Sequence, residues 1–282
     1  MEIKTLENIP LSVLHAARND AFSDYPRSWA NAAYEKMLRR RGYEASLSFG
    51  AFEGDLLASL TLNGIGELQG KKTAYDTGTG TRKAYRGLGL AGKIFDAVVP
   101  LLKQHGIKTY LLEVLQDNAA AIKIYKNAGF TITRGLNYFF QQPDEIRLPQ
   151  RELDKKYTIV NVGPDNVTMR SMWDFEPSWQ NSFAAIGRNQ ADFTTIAVMH
   201  GDKTVGYGII EPATGDIPQL AVAHAHRGNG IASHILRELL LLCHAPVIKV
   251  TNTEVGCAGM TSFLQGRNIP LQGAQWEMIK EL

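Results

Sequence analysis

Two cysteines in 282 residues, Cys243 and Cys257, exclude a disulfide-dense secreted scaffold. Neither stands in a metal-type spacing, so no metal site is expected. An excess of one charge is also missing. Lys+Arg number 30 against 28 Asp+Glu, a net +2 that is too small for strong binding to a nucleic-acid backbone. Long apolar runs are absent: Arg237 and Glu238 interrupt the stretch from Ile231 to Cys243. No segment reaches the roughly 20 apolar residues of a membrane helix. The opening MEIKTLENIP has neither a basic start nor an apolar core for export. These absences point to a cytoplasmic protein with reduced thiols that binds neither membrane nor nucleic acid. What is present, 44% hydrophobic and 21% charged residues, is ordinary for a globular chain and excludes disorder.

The length is twice 141, and the sequence repeats at that offset. Arg86-Gly87-Leu88-Gly89-Leu90-Ala91 recurs as Arg227-Gly228-Asn229-Gly230-Ile231-Ala232. The apolar pattern behind it recurs too: Ile94 with Ile235, Phe95 with Leu236, Val99 with Leu240, Leu101 with Leu242. A six-residue match arises by chance far more easily than one that extends into a shared helical pattern. The chain therefore reads as two copies of one domain, 1–142 and 143–282. Residues 1–143 carry 18 Lys+Arg and 13 Asp+Glu, a net +5, and residues 144–282 a net −3. A half at +5 suits an anionic small molecule, and ordinary scatter of surface charge explains the count equally well.

Each copy has the same order of elements. In the first, Ile3–Leu6 reads as a strand, and Pro10–Phe22 and Arg27–Arg41 as helices, the second with Trp29, Ala33 and Met37 on its apolar face. Ser46–Phe52 and Leu56–Asn63 read as a hairpin around Glu53-Gly54-Asp55, and Lys72–Arg82 as a further strand. After the glycine loop come a helix, about Leu88–His105, which Pro100 should kink, the strand Lys108–Leu115 and the helix Asn118–Asn127. Phe130–Phe140 reads as a strand pair broken near Gly135-Leu136. The second copy has strands at Thr158–Val162, Phe193–His200, Thr204–Ile210, Ile217–Ala223, Val247–Thr251 and Gln275–Lys280. Its helices are Val167–Trp173, Ser178–Ile186, Ile231–Cys243 and Cys257–Gln265. This order predicts an α/β (α+β) layer fold, a mixed sheet flanked by helices, made twice.

The glycine loop joins a strand to a helix. Small residues let the backbone approach a ligand, and free N–H groups at a helix start favour an anion. Six Lys/Arg and one acid, Asp76, lie between Lys71 and Lys93. A nucleotide P-loop needs a Gly-Lys-Ser/Thr ending, which neither copy has. A dinucleotide fingerprint needs the loop after a first strand, but here it follows a fourth. A plain tight turn would explain one such loop, and explains two poorly.

The pattern Arg-x-x-Gly-x-Ala after a fourth strand resembles the acyl-CoA site of the GCN5-related N-acetyltransferase (GNAT) superfamily. Leu112-Glu113-Val114, then Asn118, Ala121, Tyr125, Gly129 and Phe130, match that superfamily's LEV and N-x-x-A-x-x-x-Y-x-x-x-G-F. The resemblance covers residues 2–142 and implies two tandem GNAT folds, each a mixed, mostly antiparallel sheet. It implies an N-acetyltransferase that uses acetyl-CoA as co-substrate and acts on a primary amine of a small molecule or peptide, by direct attack. The alternative is a non-catalytic acyl-CoA-binding or regulatory module. Nothing in the sequence distinguishes monomer from homodimer.

The resemblance places the general acid at Tyr125; the plainer reading of an isolated Tyr on an amphipathic helix is core packing. Glu113, twelve residues earlier, matches the base of ribosomal-protein N-terminal acetyltransferases, and Asp76 is the rival base. Either carboxylate could equally be structural. Asn118 matches a contact to the pantetheine arm and is also a favoured helix cap. Backbone near Thr79, Gly80 and Thr81 should hold the acetyl carbonyl. Arg82, Arg86, Gly87, Leu88, Gly89, Leu90 and Ala91 should surround the coenzyme's phosphates. Asn63, Tyr75 and Asp76 are candidates for the acceptor side.

The second copy departs from this pattern. Aligning Asn268-Ile269 with Gly129-Phe130 puts Leu264 where Tyr125 stands, and Asn252 or Thr253 at the acidic end of the strand. Leucine cannot donate a proton, so this copy is expected to be degenerate. His224 and His226, before its loop, are expected to add partial positive charge.

Overall fold

A computed structural model describes residues 1–24, 30–163 and 166–282. The predicted residues Arg27 and Trp29 lie outside these. Packing divides the chain into two compact units: Met1–Arg134 with Trp276–Leu282, and Gly135–Gln275.

The first unit begins with β1 (Glu2–Thr5), α1 (Leu11–Ala21) and α2 (Asn31–Arg41). The strands β2 (Phe49–Glu53), β3 (Leu56–Leu68) and β4 (Lys71–Thr81) form an antiparallel meander. Then come α3 (Leu90–Gln104), β5 (Thr109–Leu115), α4 (Ala119–Asn127) and the start of β6 (Thr131–Gln141). β5 lies parallel to β4, and the strand beside β5 in the sheet is β12 (Leu271–Glu281), followed by β6. The sheet is mixed and mostly antiparallel, as the order of elements predicts.

Strand alternation sorts the side chains of this sheet onto two faces. Leu57, Leu60 and Leu62 of β3 pack with Leu14 and Ala17 of α1 and Tyr34 and Leu38 of α2. The opposite face carries Ala74, Tyr110, Leu112, Val114 and Met278 against Ile94, Phe95, Val98 and Leu102 of α3 and Tyr125 of α4. The buried positions of α3 recur at three- and four-residue steps, the signature of a helix with one apolar stripe.

The second unit holds β7 (Tyr157–Val162), α5 (Asn166–Arg170), α6 (Phe183–Arg188), β8 (Thr194–His200), β9 (Lys203–Glu211) and β10 (Asp216–Val222). These are followed by α7 (Ile231–Leu242), β11 (Ile248–Glu254) and α8 (Ala258–Gly266). β11 pairs antiparallel with β6, through Leu136–Gln141, and parallel with β10. The core is built on Ile231, Ile235, Leu236 and Leu239 of α7, with Met169, Met172 and Phe183 on the other face.

Three local expectations differ from the structure. β6 is one strand through Gly135-Leu136, not a broken pair, because Leu136 and Phe139 are fully buried and hold it in a sheet. α2 buries Tyr34 and Leu38 while Ala33 is exposed, so its core stripe lies one residue along from the one predicted. The helix expected at Ser178–Ile186 is a 3-10 turn (Trp179–Asn181) and then α6, since the Ser182 hydroxyl caps a new start by accepting from Ala185 N. α3 runs on through Pro100, which sits on its exposed face.

Met278 is fully buried in the first unit's core. Met278→Ala is expected to lower stability by about 2–5 kcal/mol, the usual range for emptying a buried methionine site. Urea unfolding of the full chain measures it.

Candidate active site

The ladder between β4 and β5 runs from Thr73–Thr109 to Asp76–Leu112 and stops. Beyond it β4 continues to Thr81 and β5 to Leu115 without pairing to each other, so the two strands part. A bulge in β4 coincides with the parting. Asp76 stands opposite Asn63 and Gly78 opposite Leu62, leaving Thr77 unpaired. Across this bulge Asp76 Oδ1 accepts from the Gly78 N–H (2.9 Å) and Oδ2 from the Thr79 hydroxyl (2.7 Å). From α2, Arg41 Nη1 donates to the Thr77 carbonyl (2.9 Å).

Past the bulge the edge of β4 that faced β5 is open. Arg82 N donates to Ala58 O on β3 (2.9 Å). By the two-residue alternation of strand backbone, Gly80 points the same way, and Thr79 and Thr81 turn their N–H groups toward the parted edge. Gly80 is glycine for packing reasons: a Cβ there would meet Phe22 at 2.8 Å and Ala21 at 2.9 Å.

The predicted bases fall on opposite faces. Leu112 and Val114 face α3, so Glu113 between them faces α1 and α2. There it is half-buried, and Tyr75 donates its hydroxyl to Glu113 Oε2 (3.2 Å). Burial and then the charge of Glu113 hold the Tyr75 phenol well above its usual pKa, so it remains a donor. Asp76 lies on the α3 face, opposite Asn63, whose Oδ1 accepts from Tyr110 (2.6 Å) and whose Nδ2 donates to Leu47 O (2.6 Å). Asn63 is thus a buried structural amide, away from Tyr75.

Tyr125 is buried on α4, edge-on to Phe95 (5.9 Å) and Phe130 (6.0 Å), on the α3 face. Asn118 caps α4: its Oδ1 accepts from Ala121 N (3.1 Å). The structure therefore brings Tyr125 and Asp76 to one face and Glu113 to the other.

The glycine loop has the same backbone in both copies. Gly87 and Gly89 are left-handed (φ 80° and 68°), as are Gly228 and Gly230 (78° and 82°), a conformation that glycine adopts without strain. Leu88 projects outward, while Leu90 and Ala91 anchor the start of α3 in the core. The N-cap of α3 is Gly89, which has no side chain to cap the helix. The loop cations meet the end of α1. Arg82 contacts Asp20 (3.3 Å), and Asp24 takes both Lys83 and Arg86 (2.7 Å each). Arg227 repeats this in the second copy with Asp174 (2.9 Å) and the Val222 carbonyl (2.9 Å).

The second copy's catalytic positions are different. Leu264 is buried where α4 has Tyr125, and Cys257 starts α8 without a side-chain cap. Asn252 is left-handed (φ 61°) and buried at the end of β11. His226 shares a hydrogen bond with the Tyr157 hydroxyl (3.1 Å), and exposed His224 lies 3.3 Å from Asp174. A cleft between β10 and β11 is lined by Trp173, Tyr207, Gln219, Asn181 and Thr253.

Sequence reasoning missed Asp20 on α1, Asp24 just past its end and Arg41 on α2, which come to these strands and the loop from segments distant in sequence. It also missed Glu277, buried and bound in a two-pronged ion pair to Arg134 (2.8 and 3.0 Å). Among the described residues there is no cluster of three potential metal ligands, and no helix is long and apolar enough to cross a membrane.

Two parallel strands part beside a glycine loop at the head of the helix that joins them. The profile described as "Acetyltransferase (GNAT) family" matches residues 14–130 and 162–256, and the chain belongs to that family. Its members generally use acetyl-CoA as co-substrate. The fold is that of a tandem GNAT protein from the clavulanic acid biosynthesis pathway (TM-score 0.73, 13% identity, 99% of this chain and 98% of that one). It is also that of a GCN5-related N-acetyltransferase from Sphaerobacter thermophilus (TM-score 0.71, 14% identity, 99% and 95%). A sequence comparison with curated proteins gives no match. The chain is a tandem GNAT acetyltransferase.

Asp76 gives the site a pH signature. Burial raises its pKa from 3.8 to about 6, against the lowering by Thr79, Gly78 and Arg41. The folded state thus keeps a proton that the unfolded chain releases near pH 4, and stability falls as pH rises from about 4 to 6. The loss is about 3 kcal/mol at about 1.36 kcal/mol per pH unit. In Asp76→Asn this slope is expected to flatten, as urea unfolding at pH 4 and pH 7 would measure.

Proposed function

We propose that the first copy transfers an acetyl group from acetyl-CoA to a primary amine of a small molecule or peptide by direct attack. Tyr125 is the acid and Glu113 the base. The observation that carries this reading is the parting of β4 and β5, with Glu113 on one face and Tyr125 on the other. When bound, acetyl-CoA supplies an activated thioester carbonyl. The α3 start and the loop Arg86–Ala91 would hold its phosphates, and Asn118 would lie along its pantetheine arm while capping α4.

Each requirement of the transfer has a residue. The N–H groups of Thr79 and Thr81 offer donors to the carbonyl oxygen where negative charge develops. Glu113 takes a proton from the amine as the C–N bond forms, and the Tyr75 hydroxyl fixes the orientation of its carboxylate. Tyr125 gives its phenolic proton to the sulfur as the C–S bond breaks, and regains one from solvent. A thiol pKa of about 8.5 makes this proton helpful rather than obligatory. Asp76, whose two oxygens close the β4 bulge, we assign to shaping the strand rather than to proton transfer.

The second copy keeps the loop but has Leu264 in place of the acid, and we assign it no catalytic step. In that division of labour, 1–142 is the catalytic repeat and 143–282 the degenerate one.

Tyr125→Phe should lower turnover at least about tenfold, within the range for losing a positioned acid. Glu113→Gln should lower it similarly, most for acceptors whose amine is fully protonated at neutral pH. The assay is amine-dependent thiol release by the full chain. An unchanged rate in Tyr125→Phe removes the tyrosine from the mechanism.

A further inference from the structure

The turn that ends α4 is held from outside its own helix. Gly129 is left-handed (φ 89°), and the Phe130 N–H reaches back to the Tyr125 carbonyl (3.0 Å). The Ala128 carbonyl stands at the negative end of the helix, where a cation is favoured. The ammonium of Lys280 on β12 donates to it. Gly129 gives the lysine its path: a Cβ there would stand 3.0 Å from Lys280 Nζ and 3.7 Å from Cε. The glycine of the Gly129-Phe130 pair thus has a second task besides the left-handed turn, which is to seat Lys280.

β12 is fixed well enough to act as a support. On the β6 side, Glu277 is buried and takes Arg134 through two prongs (2.8 and 3.0 Å), and the Thr133 hydroxyl donates to the Glu277 carbonyl (3.1 Å). On the β5 side, the Leu282 N–H donates to the Lys108 carbonyl (2.9 Å). Lys280 is half-buried between these ties. Its neighbour Glu281 is exposed and meets Lys71 at 3.3 Å, an ordinary surface pair that contributes little.

What the turn carries is the phenol. Phe130 follows Gly129 and is buried; its ring lies 6.0 Å from that of Tyr125 and 5.1 Å from that of Tyr110, and both Phe130 and Tyr125 meet Phe95 edge-on. Met278, two residues before Lys280 on β12, belongs to the same buried cluster. Close-packed rings transmit a shift rather than absorb it. A displaced turn therefore moves Phe130, and Phe130 moves Tyr125. We propose that Lys280 is a positioning residue: by holding the Ala128 carbonyl it sets the closing turn of α4 and, through Phe130, the direction of the Tyr125 phenol. Its consequence for turnover rests on the reading of Tyr125 as the acid.

The test uses the full chain, with Lys280→Met to remove the donor while keeping the aliphatic chain, and Lys280→Arg to restore a donor. Urea unfolding checks that each variant folds, and Lys280→Gln stands in for Lys280→Met if the latter does not. The chain is labelled with 3-fluorotyrosine, and the Tyr125 fluorine resonance is the one among 10 tyrosines that Tyr125→Phe removes. It should move in Lys280→Met and return toward its wild-type position in Lys280→Arg. Thiol release from acetyl-CoA is followed with n-butylamine and with an alanyl peptide amide as acceptors. Lys280→Met should lower kcat at least about threefold and leave KM for acetyl-CoA within about twofold, since a misplacement of about 1 Å can cost about a hundredfold in rate. In the Tyr125→Phe background the same substitution should change kcat by less than about 1.5-fold, because the group it places is gone. Lys280→Arg should recover at least about half of the lost rate. An unmoved Tyr125 resonance, or a loss of kcat equal in both backgrounds, would overturn the proposal. A full rate in Tyr125→Phe ends the acid reading instead, and no thiol release with either acceptor ends the transfer reading. In both cases the resonance alone then decides whether Lys280 places the ring.

Discussion

The parting of β4 from β5 is the constraint on which the rest of the first unit's chemistry depends. Two parallel strands normally stay paired, because an unpaired strand edge leaves backbone donors and acceptors without partners. Here the bulge at Thr77 turns β4 away, and its surroundings stabilise the turn. Asp76 satisfies the Gly78 N–H from within the strand, and Arg41 satisfies the Thr77 carbonyl from α2. The freed edge presents Thr79 and Thr81. The same region has the Glu113 carboxylate on one face of the sheet and the Tyr125 phenol on the other.

The two copies show which parts of this arrangement are tied together. The glycine loop, its left-handed pair and the arginine that braces it onto an aspartate recur in both. These features depend on local backbone geometry and persist through extensive change elsewhere. The positions of Tyr125, Glu113 and Asn118 differ together in the second copy, which has Leu264, Asn252 or Thr253, and Cys257 there. The glycine loop still starts a helix in both copies.

The sequence showed the duplication, the order of elements and the two glycine loops, because these are written in local spacing. It also offered Glu113 and Asp76 as rival bases, but could not separate their tasks. That separation depends on register between distant strands: Asp76 pairs with Leu112, so Glu113, one residue further along β5, faces the other side of the sheet. Arg41 was hidden for another reason. In sequence it is the third of three arginines at a helix end, where positive charge is expected on dipole grounds alone. Only the packing of α2 on the sheet distinguishes it from Arg39. The broken strand pair expected near Gly135-Leu136 was a reasonable inference from glycine, but buried Leu136 and Phe139 keep the strand whole.

The strand that lies beside β5 in the first unit is made of residues 276–281. During synthesis the 141 residues between Arg134 and Trp276 must appear before that strand exists, which takes about 7–30 s at ribosomal rates of about 5–20 residues per second. Through that interval β5 has an open edge and the hydrophobic groups that Met278 will cover are exposed. The amino-terminal unit is therefore first to be made and unable to finish first: its sheet is complete only when the ribosome has delivered the closing strand.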